Sequence, residues 1–255
     1  MKKIGDFKII GKERFDNAAF LTLHSEDALP EIKPGQFVEM RVDCAPHTYL
    51  RRPISIHDVD FQDNAITLLI QEIGEGTRIL CNLVNQDVVN MIYPLGNGFT
   101  LPDDKGENVL LIGGGVGISP MLYFGKVLKN KNIRNTFLAG FKTAKETALL
   151  SHYNETFERI CITTNDGSSG QKGFVTDHDV WEKEKFDRIY ACGPLPMMKA
   201  VAKIARERGV WCEVSLENTM ACGIGACLCC VENTKDGNVC VCKDGPVFNI
   251  NKLLW

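Results

Sequence analysis

The chain has 255 residues, 44% hydrophobic and 24% charged, with a formal net charge of −3 at pH 7. That length holds one to two ordinary domains with room for a small appendage. The small net charge gives no reason to expect nucleic acid or an anionic membrane surface as a partner.

The N-terminal MKKIGDFKIIGKERFDN lacks an apolar run after its basic start, so no export signal is expected. Eleven cysteines in such a chain argue against a disulfide framework and for a reducing, cytoplasmic setting. Cys44, Cys81, Cys161 and Cys212 stand singly and read as small buried hydrophobes.

Residues 1–100 carry short strand-like runs: FKIIGKERF, AAFLTLHS, QFVEMRV, PISIHDV, AITLLIQEI and DVVNMIYPL. Turn residues separate them at short intervals, which predicts an antiparallel barrel or sandwich. One short helix is expected at GTRILCNLVN, where Ile79, Leu80 and Leu83 recur at helical spacing. Within this region LRRPISI sets two arginines before a proline and a serine. A strand there would aim Arg52 and Ser55 at a fixed ligand, and the planar guanidinium suits phosphate. GEGT (74–77) opens the short helix and offers a second phosphate site. Alone, each also reads as a solvated arginine pair or an ordinary turn.

From about residue 101 strands and helices alternate. The strands are NVLLIGG, TFLAGF, RICITTN, DRIYACG and VWCEVSL. The helices are ISPMLYFGKVLKN, a segment around KETALLSHYNETF, one near TDHDVWEKEK, and PMMKAVAKIARERG. This rhythm predicts a doubly wound parallel sheet over 101–216. The longest uncharged run, 108–125, is rich in glycine and reads as strand, turn and helix start rather than a bilayer span. Its GGGVGISP brings Gly113, Gly114, Gly115 and Gly117 between strand and helix. There the backbone can approach a ligand and the helix N-terminus favours phosphate. Ile118 stands where a GxGxxG fingerprint would place glycine. In YACGPLPMM, Cys192 and Gly193 close another strand, at the edge where open α/β sheets hold ligands.

RPIS, then GT opening a helix, then GGGVGISP and ACGP, in this order over residues 5–216, resemble the ferredoxin–NADP reductase superfamily. The resemblance implies an antiparallel β-barrel that binds FAD and an α/β domain that binds the nicotinamide nucleotide. It places Arg52, Pro53, Ile54 and Ser55 along the flavin, with Ser55 near its reactive N5. Leu69, Ile70 and Gln71 would flank the flavin, and Gly76 and Thr77 would bind its pyrophosphate. Gly113, Gly114, Gly115 and Gly117 would approach the pyrophosphate of NAD, with Cys192 and Gly193 near its nicotinamide. NAD is expected rather than NADP: Lys142 and Lys145 read as solvated, and Asp166 disfavours a further phosphate.

Residues 217–255 break the alternation and are too short to bury a core of their own. Cys222, Cys227 and Cys230 follow the C-x4-C-x2-C spacing of plant-type 2Fe–2S proteins, with Gly223 and Gly225 freeing backbone amides. Four thiolates would also suit zinc, although only one C-x2-C pair occurs here. Cys229 is surplus beside Cys230, and spacing leaves Cys240 and Cys242 both open as the fourth ligand. The tail MACGIGAC…CKDGPVF resembles the electron-transfer subunits of type B dihydroorotate dehydrogenase, a resemblance that covers essentially the whole chain. It selects Cys222, Cys227, Cys230 and Cys242 as the ligands of a 2Fe–2S cluster.

The expected organisation is an FAD-binding β-barrel domain at 1–100, an NAD-binding α/β domain at 101–216 and a small iron–sulfur subdomain at 217–255. A cluster carries single electrons, a nicotinamide takes a hydride, and a flavin handles both, so this set implies an electron converter. No catalytic residue for an organic substrate is evident in the chain. The resemblance supplies one elsewhere, in an FMN-containing catalytic subunit that oxidises dihydroorotate within a heterotetramer of two plus two subunits. Other readings are a flavin/iron–sulfur subunit of another NAD(P)H:ferredoxin-type complex, a free-standing reductase, and a zinc-stabilised binding protein.

Overall fold

The alternation in the first hundred residues has a direct structural outcome. In the computed structural model, which describes residues 1–43 and 47–255, six strands close into an antiparallel barrel. They are β1 (Lys3–Arg14), β2 (Ala18–His24), β3 (Phe37–Met40), β4 (Arg52–Asp60), β5 (Ala65–Gln71) and β6 (Val88–Leu95). Their order around the barrel is β1-β2-β5-β4-β3-β6. Phe7 and Ile9 in β1, and Val89, Met91 and Tyr93 in β6, are buried at every second position, which is how a strand covers one face of a core. Register breaks between Phe37 and Glu39, and between Ile56 and Asp58, mark irregularities that re-aim side chains on β3 and β4. Helix α1 (Glu75–Asn82) buries Leu80 and Cys81 after β5, as the periodicity of GTRILCNLVN predicts. Cys44 lies outside the described residues.

Apolar runs of the next region form the predicted parallel sheet from β7 (Val109–Gly114), β8 (Asn135–Phe141), β9 (Arg159–Thr164), β10 (Gln171–Lys172), β11 (Arg188–Cys192) and β12 (Trp211–Ser215). β7 is buried along its whole length, as a strand covered on both faces must be. Its covering helices are α2 (Ser119–Asn130), the short α3 (Val180–Lys183) and α4 (Leu195–Arg208), which ends at Gly209 in the left-handed conformation.

Two predicted helices come out shorter than expected. KETALLSHYNETF forms a 3-10 segment at Ala144–Leu150 followed by turns. Tertiary packing overrides local propensity there: Phe137, Tyr153 and Phe157 stack with centroids about 5–6 Å apart, and the Tyr153 hydroxyl donates to the Ile118 carbonyl. The segment near TDHDVWEKEK keeps only α3. The Trp181 indole N–H donates to the Val175 carbonyl and ties the preceding turn to that helix.

The C-terminal region contains a two-stranded hairpin, β13 (Val231–Thr234) and β14 (Gly237–Cys240), then α5 (Val241–Asp244) and β15 (Val247–Asn249). β15 runs antiparallel beside β12 and completes the second sheet in the order β10-β9-β8-β7-β11-β12-β15. Contacts divide the chain into two units. One is Met1–Gly98 with Glu217–Asn233 and Gly237–Pro246; the other is Phe99–Leu216 with Thr234–Asp236 and Val247–Trp255. The cysteine-rich segment therefore packs with the barrel.

Candidate functional site

In the barrel unit, Arg52 begins β4 and Gly76 lies in the first turn of α1. A Cβ at Gly76 would lie 2.8 Å from Arg52 Nε, so the missing side chain is what lets the guanidinium rest over the helix start. The Arg52 guanidinium is steadied by the carbonyls of Leu50 and Arg51. Thr77 Oγ1 accepts from the Ile73 and Gly74 amides, which ties the incoming loop to α1. The first amides of a helix have no partner within it and point outward, so this corner joins them to a guanidinium, a donor set that fits a pyrophosphate. Pro53, Ile54 and Ser55 continue β4, with Ser55 opposite Phe37 on β3. Leu69 and Ile70 are buried on β5 and Gln71 ends that strand.

On the same unit the cysteines come together as two sulfur pairs. Cys222 shares a side-chain hydrogen bond with Cys227, and Cys230 shares one with Cys242. Loop amides turn toward these sulfurs: Gly225 N donates to Cys242 Sγ at 3.1 Å, Ala226 N to Cys222 Sγ at 3.3 Å, and Cys242 N to Cys230 Sγ at 3.3 Å. Burial works to raise the Cys222 thiol, but the amides of Ile224, Cys227 and Ala226 and the Cys227 side chain bring it down to about 6. Burial and Cys230 push Cys242 up to about 12, against the Gly225 amide.

A two-iron cluster needs two thiolates at each iron, and two sulfur pairs with amides aimed at them fit that requirement. Among the described residues no three Cys, His, Asp or Glu side chains are arranged around a single ion. Cys229 is exposed. Cys240 ends β14, with its amide donating to Asp244, and it precedes the turn that carries Cys242 inward. Leu228, with φ of 58°, reverses the loop between Cys227 and Cys230.

In the second unit the strand order turns outward on both sides of β7, and β7 neighbours β11 with Gly113 opposite Cys192. Ligands of open α/β sheets lie at this switch point. A Cβ at Gly117 would lie 2.4 Å from the Cys192 carbonyl oxygen, and one at Gly114 would lie 2.5 Å from Met197 Sδ. The two glycine turns are thus packed backbone to backbone. Gly115, with φ of 55°, has open space where its side chain would be, so the loop presents bare backbone to a ligand. Beyond β8 and β9, Ser168 Oγ donates to Asp166 and accepts from the Ala144 amide. These bonds, the Ser168 hydroxyl foremost, hold the exposed Asp166 carboxyl below its ordinary value.

Sequence reasoning passed over Glu39. It lies in QFVEMRV as the one charged residue of β3, and the strand buries it completely. That signal, a carboxylate inside an apolar strand, was available. Asn97 was also missed: its side chain donates to the Lys243 and Asp244 carbonyls and its amide to Gly245, fastening the cysteine-rich segment to the end of β6.

Comparison with known proteins agrees with this division of labour. Residues 217–254 match the iron–sulfur cluster binding domain of dihydroorotate dehydrogenase B, and residues 111–203 match the oxidoreductase NAD-binding domain. The chain is 42% identical over 225 residues to the dihydroorotate dehydrogenase B (NAD(+)) electron transfer subunit of Clostridium acetobutylicum, covering 88% of this chain and 87% of that protein. It is 37% identical to the subunit of the same name from Shouchella clausii, over 99% of each. Among solved structures, an NADH-dependent reduced ferredoxin-NADP oxidoreductase superposes with a TM-score of 0.88 at 30% identity, covering 98% of this chain and 90% of that one. A flavohemoglobin from Malassezia yamatoensis with bound FAD and heme shares the fold at a TM-score of 0.67, 20% identity and coverage of 81% and 57%.

Proposed function

The chain belongs to the electron transfer subunits of NAD(+)-dependent dihydroorotate dehydrogenase B, and from that premise we propose how its residues divide the task. It is an oxidoreductase subunit that uses FAD, a 2Fe–2S cluster and NAD. The cluster supplies one-electron transfer, the nicotinamide accepts a hydride, and the flavin joins the two. Electrons enter from a catalytic subunit that oxidises dihydroorotate, in pyrimidine biosynthesis, and leave as NADH.

Cys222 with Cys227, and Cys230 with Cys242, hold one iron each. Arg52, Gly76 and Thr77 hold the FAD pyrophosphate. Pro53, Ile54, Ser55, Leu69, Ile70 and Gln71 line the flavin. Gly113, Gly114, Gly115 and Gly117 take the NAD pyrophosphate, with Cys192 and Gly193 beside the nicotinamide. The observation that carries this reading is the two sulfur pairs, with three backbone amides donating to them, on the unit that also holds the Arg52–Gly76 corner. The barrel is the FAD-binding domain, the α/β region the NAD-binding domain, and the cysteine-rich segment the cluster subdomain.

The partner carries FMN and joins this chain as two plus two subunits in the cytoplasm. No helix among the described residues is long and apolar enough to cross a membrane. Likeness to the NADH-dependent reduced ferredoxin-NADP oxidoreductase supports a second reading, a subunit of a ferredoxin-linked complex. Mixing the purified chain with a dihydroorotate-oxidising subunit separates the two. NAD⁺ reduction by dihydroorotate is expected; reduction driven only by ferredoxin would favour the second.

A further inference from the structure

Glu39 is fully buried, and among the described residues neither carboxyl oxygen has a hydrogen-bond partner. Burying such a group is unfavourable unless something offsets it, so its retention in an apolar strand asks for a role. Its surroundings suggest one. A Cβ at Gly223 would lie 2.6 Å from Glu39 Cγ and 3.1 Å from Oε1, and Gly223 has φ of 66°. The loop that follows Cys222 thus lies directly on this side chain, and no residue but glycine fits. Two residues earlier on the strand, Phe37 meets the other end of the same segment: a Cβ at Gly96 would touch both Pro246 and the Phe37 ring. One face of β3 is therefore the seat of the cysteine-rich segment. The other edge of β3 pairs with β4, with Glu39 opposite Pro53 in the proposed flavin strand. Arg51 and Arg52 act on the carboxyl from nearby but give it no hydrogen bond: Arg51 donates to the carbonyls of Glu39 and Asn90 and to the Asn90 side chain, and Arg52 to the carbonyls of Leu50 and Arg51.

We propose that the Glu39 carboxylate, held under the Cys222–Cys227 loop, is a positioning residue that lowers the reduction potential of the cluster. This rests on the reading that Cys222, Cys227, Cys230 and Cys242 bind a 2Fe–2S cluster. Reduction adds one electron to the cluster and moves no atom to or from Glu39, which acts through its field. A negative charge in a water-poor site opposes the arrival of an electron, and cluster potentials respond to nearby charge and solvent exposure. The effect would poise electrons to move on from the cluster toward the flavin. Burial foremost raises the Glu39 carboxyl, with Cys222 adding to the rise and Arg51 and Arg52 opposing it.

The test uses the full chain with its cofactors bound, at about pH 8.5, in a redox titration followed by the electron paramagnetic resonance of the reduced cluster. Glu39→Gln keeps the shape and removes the charge; Glu39→Met also removes the unpartnered polar atoms. Both are expected to keep the cluster and to shift its midpoint potential upward. The exposed Asp63→Asn, equal in charge change, is expected to leave it where it was. An unchanged or lowered potential in the Glu39 variants, a shift of the same size in Asp63→Asn, or loss of the cluster from both Glu39 variants would overturn the proposal. A wild-type chain with no iron–sulfur signal would instead defeat the reading beneath it, a result seen before any variant is made.

Discussion

At the residue scale the sharpest choice is between Cys240 and Cys242. Two residues apart in VCVC, they look alike in the sequence, and spacing alone leaves them equal. Their backbone environments differ: the Cys242 sulfur accepts from Gly225 and pairs with Cys230, whereas Cys240 closes a strand. Cys242→Ser should lose the cluster while FAD binding and NADH-dependent dye reduction persist. Cys240→Ser and the exposed Cys229→Ser should keep it. Iron content with visible absorption reads all three, and cluster loss in Cys240→Ser alone would transfer the ligand assignment. Gly117 gives a second residue-scale prediction. A methyl group there would lie 2.4 Å from the Cys192 carbonyl oxygen, a contact that forces backbone to move. Gly117→Ala should cost about 1–3 kcal/mol of stability, as overpacking does, and raise the KM for NADH while cluster and flavin spectra stay unchanged.

At the element scale, the barrel strands, the parallel strands and the helices α1, α2 and α4 were legible, whereas the two helices expected between β8 and β11 were not. PMMKAVAKIARERG and ISPMLYFGKVLKN carry their own periodicity and fold as α4 and α2. The helix predicted from KETALLSHYNETF fails because Tyr153 and Phe157 are committed to the Phe137 stack, a contact invisible in a local window. At the start of the short α3 the Val180 amide donates to His178 Nδ1 at 3.0 Å. His178→Ala should cost about 1 kcal/mol near pH 8, the usual loss for a missing helix-start acceptor. Burial holds His178 below its ordinary value, partly offset by Asp179, so the fold prefers the neutral ring. A group lowered in this way contributes stability above the ordinary histidine value of about 6.5, and that contribution is lost as pH falls through its lowered value. The stability gap between wild type and His178→Ala in urea unfolding should therefore shrink on acidification, and a gap that stays constant would contradict this.

At the scale of the whole molecule, order and spacing of motifs told more than any motif alone. RPIS alone reads as a solvated arginine pair, and GEGT and GGGVGISP as ordinary turns, until they occur in sequence along a barrel and a parallel sheet. What the sequence did not disclose is where the tail goes. Its cysteine-rich loop meets β3 and the end of β6 through Gly223 and residues 243–246, and its last strand joins the second sheet beside β12. Such placement depends on Gly96, Asn97 and Gly223 meeting residues more than a hundred positions away, which no local pattern encodes. The Glu39 carboxyl was visible in QFVEMRV, but its meaning appeared only with Gly223 above it. As a whole, one chain joins a hydride carrier to a one-electron carrier. Anaerobic titration of the purified chain with NADH, followed by visible absorption and low-temperature electron paramagnetic resonance, tests it most directly. The flavin band should bleach together with the appearance of the signal of a reduced 2Fe–2S cluster; flavin bleaching with no cluster signal, however much NADH is added, would rule out that junction.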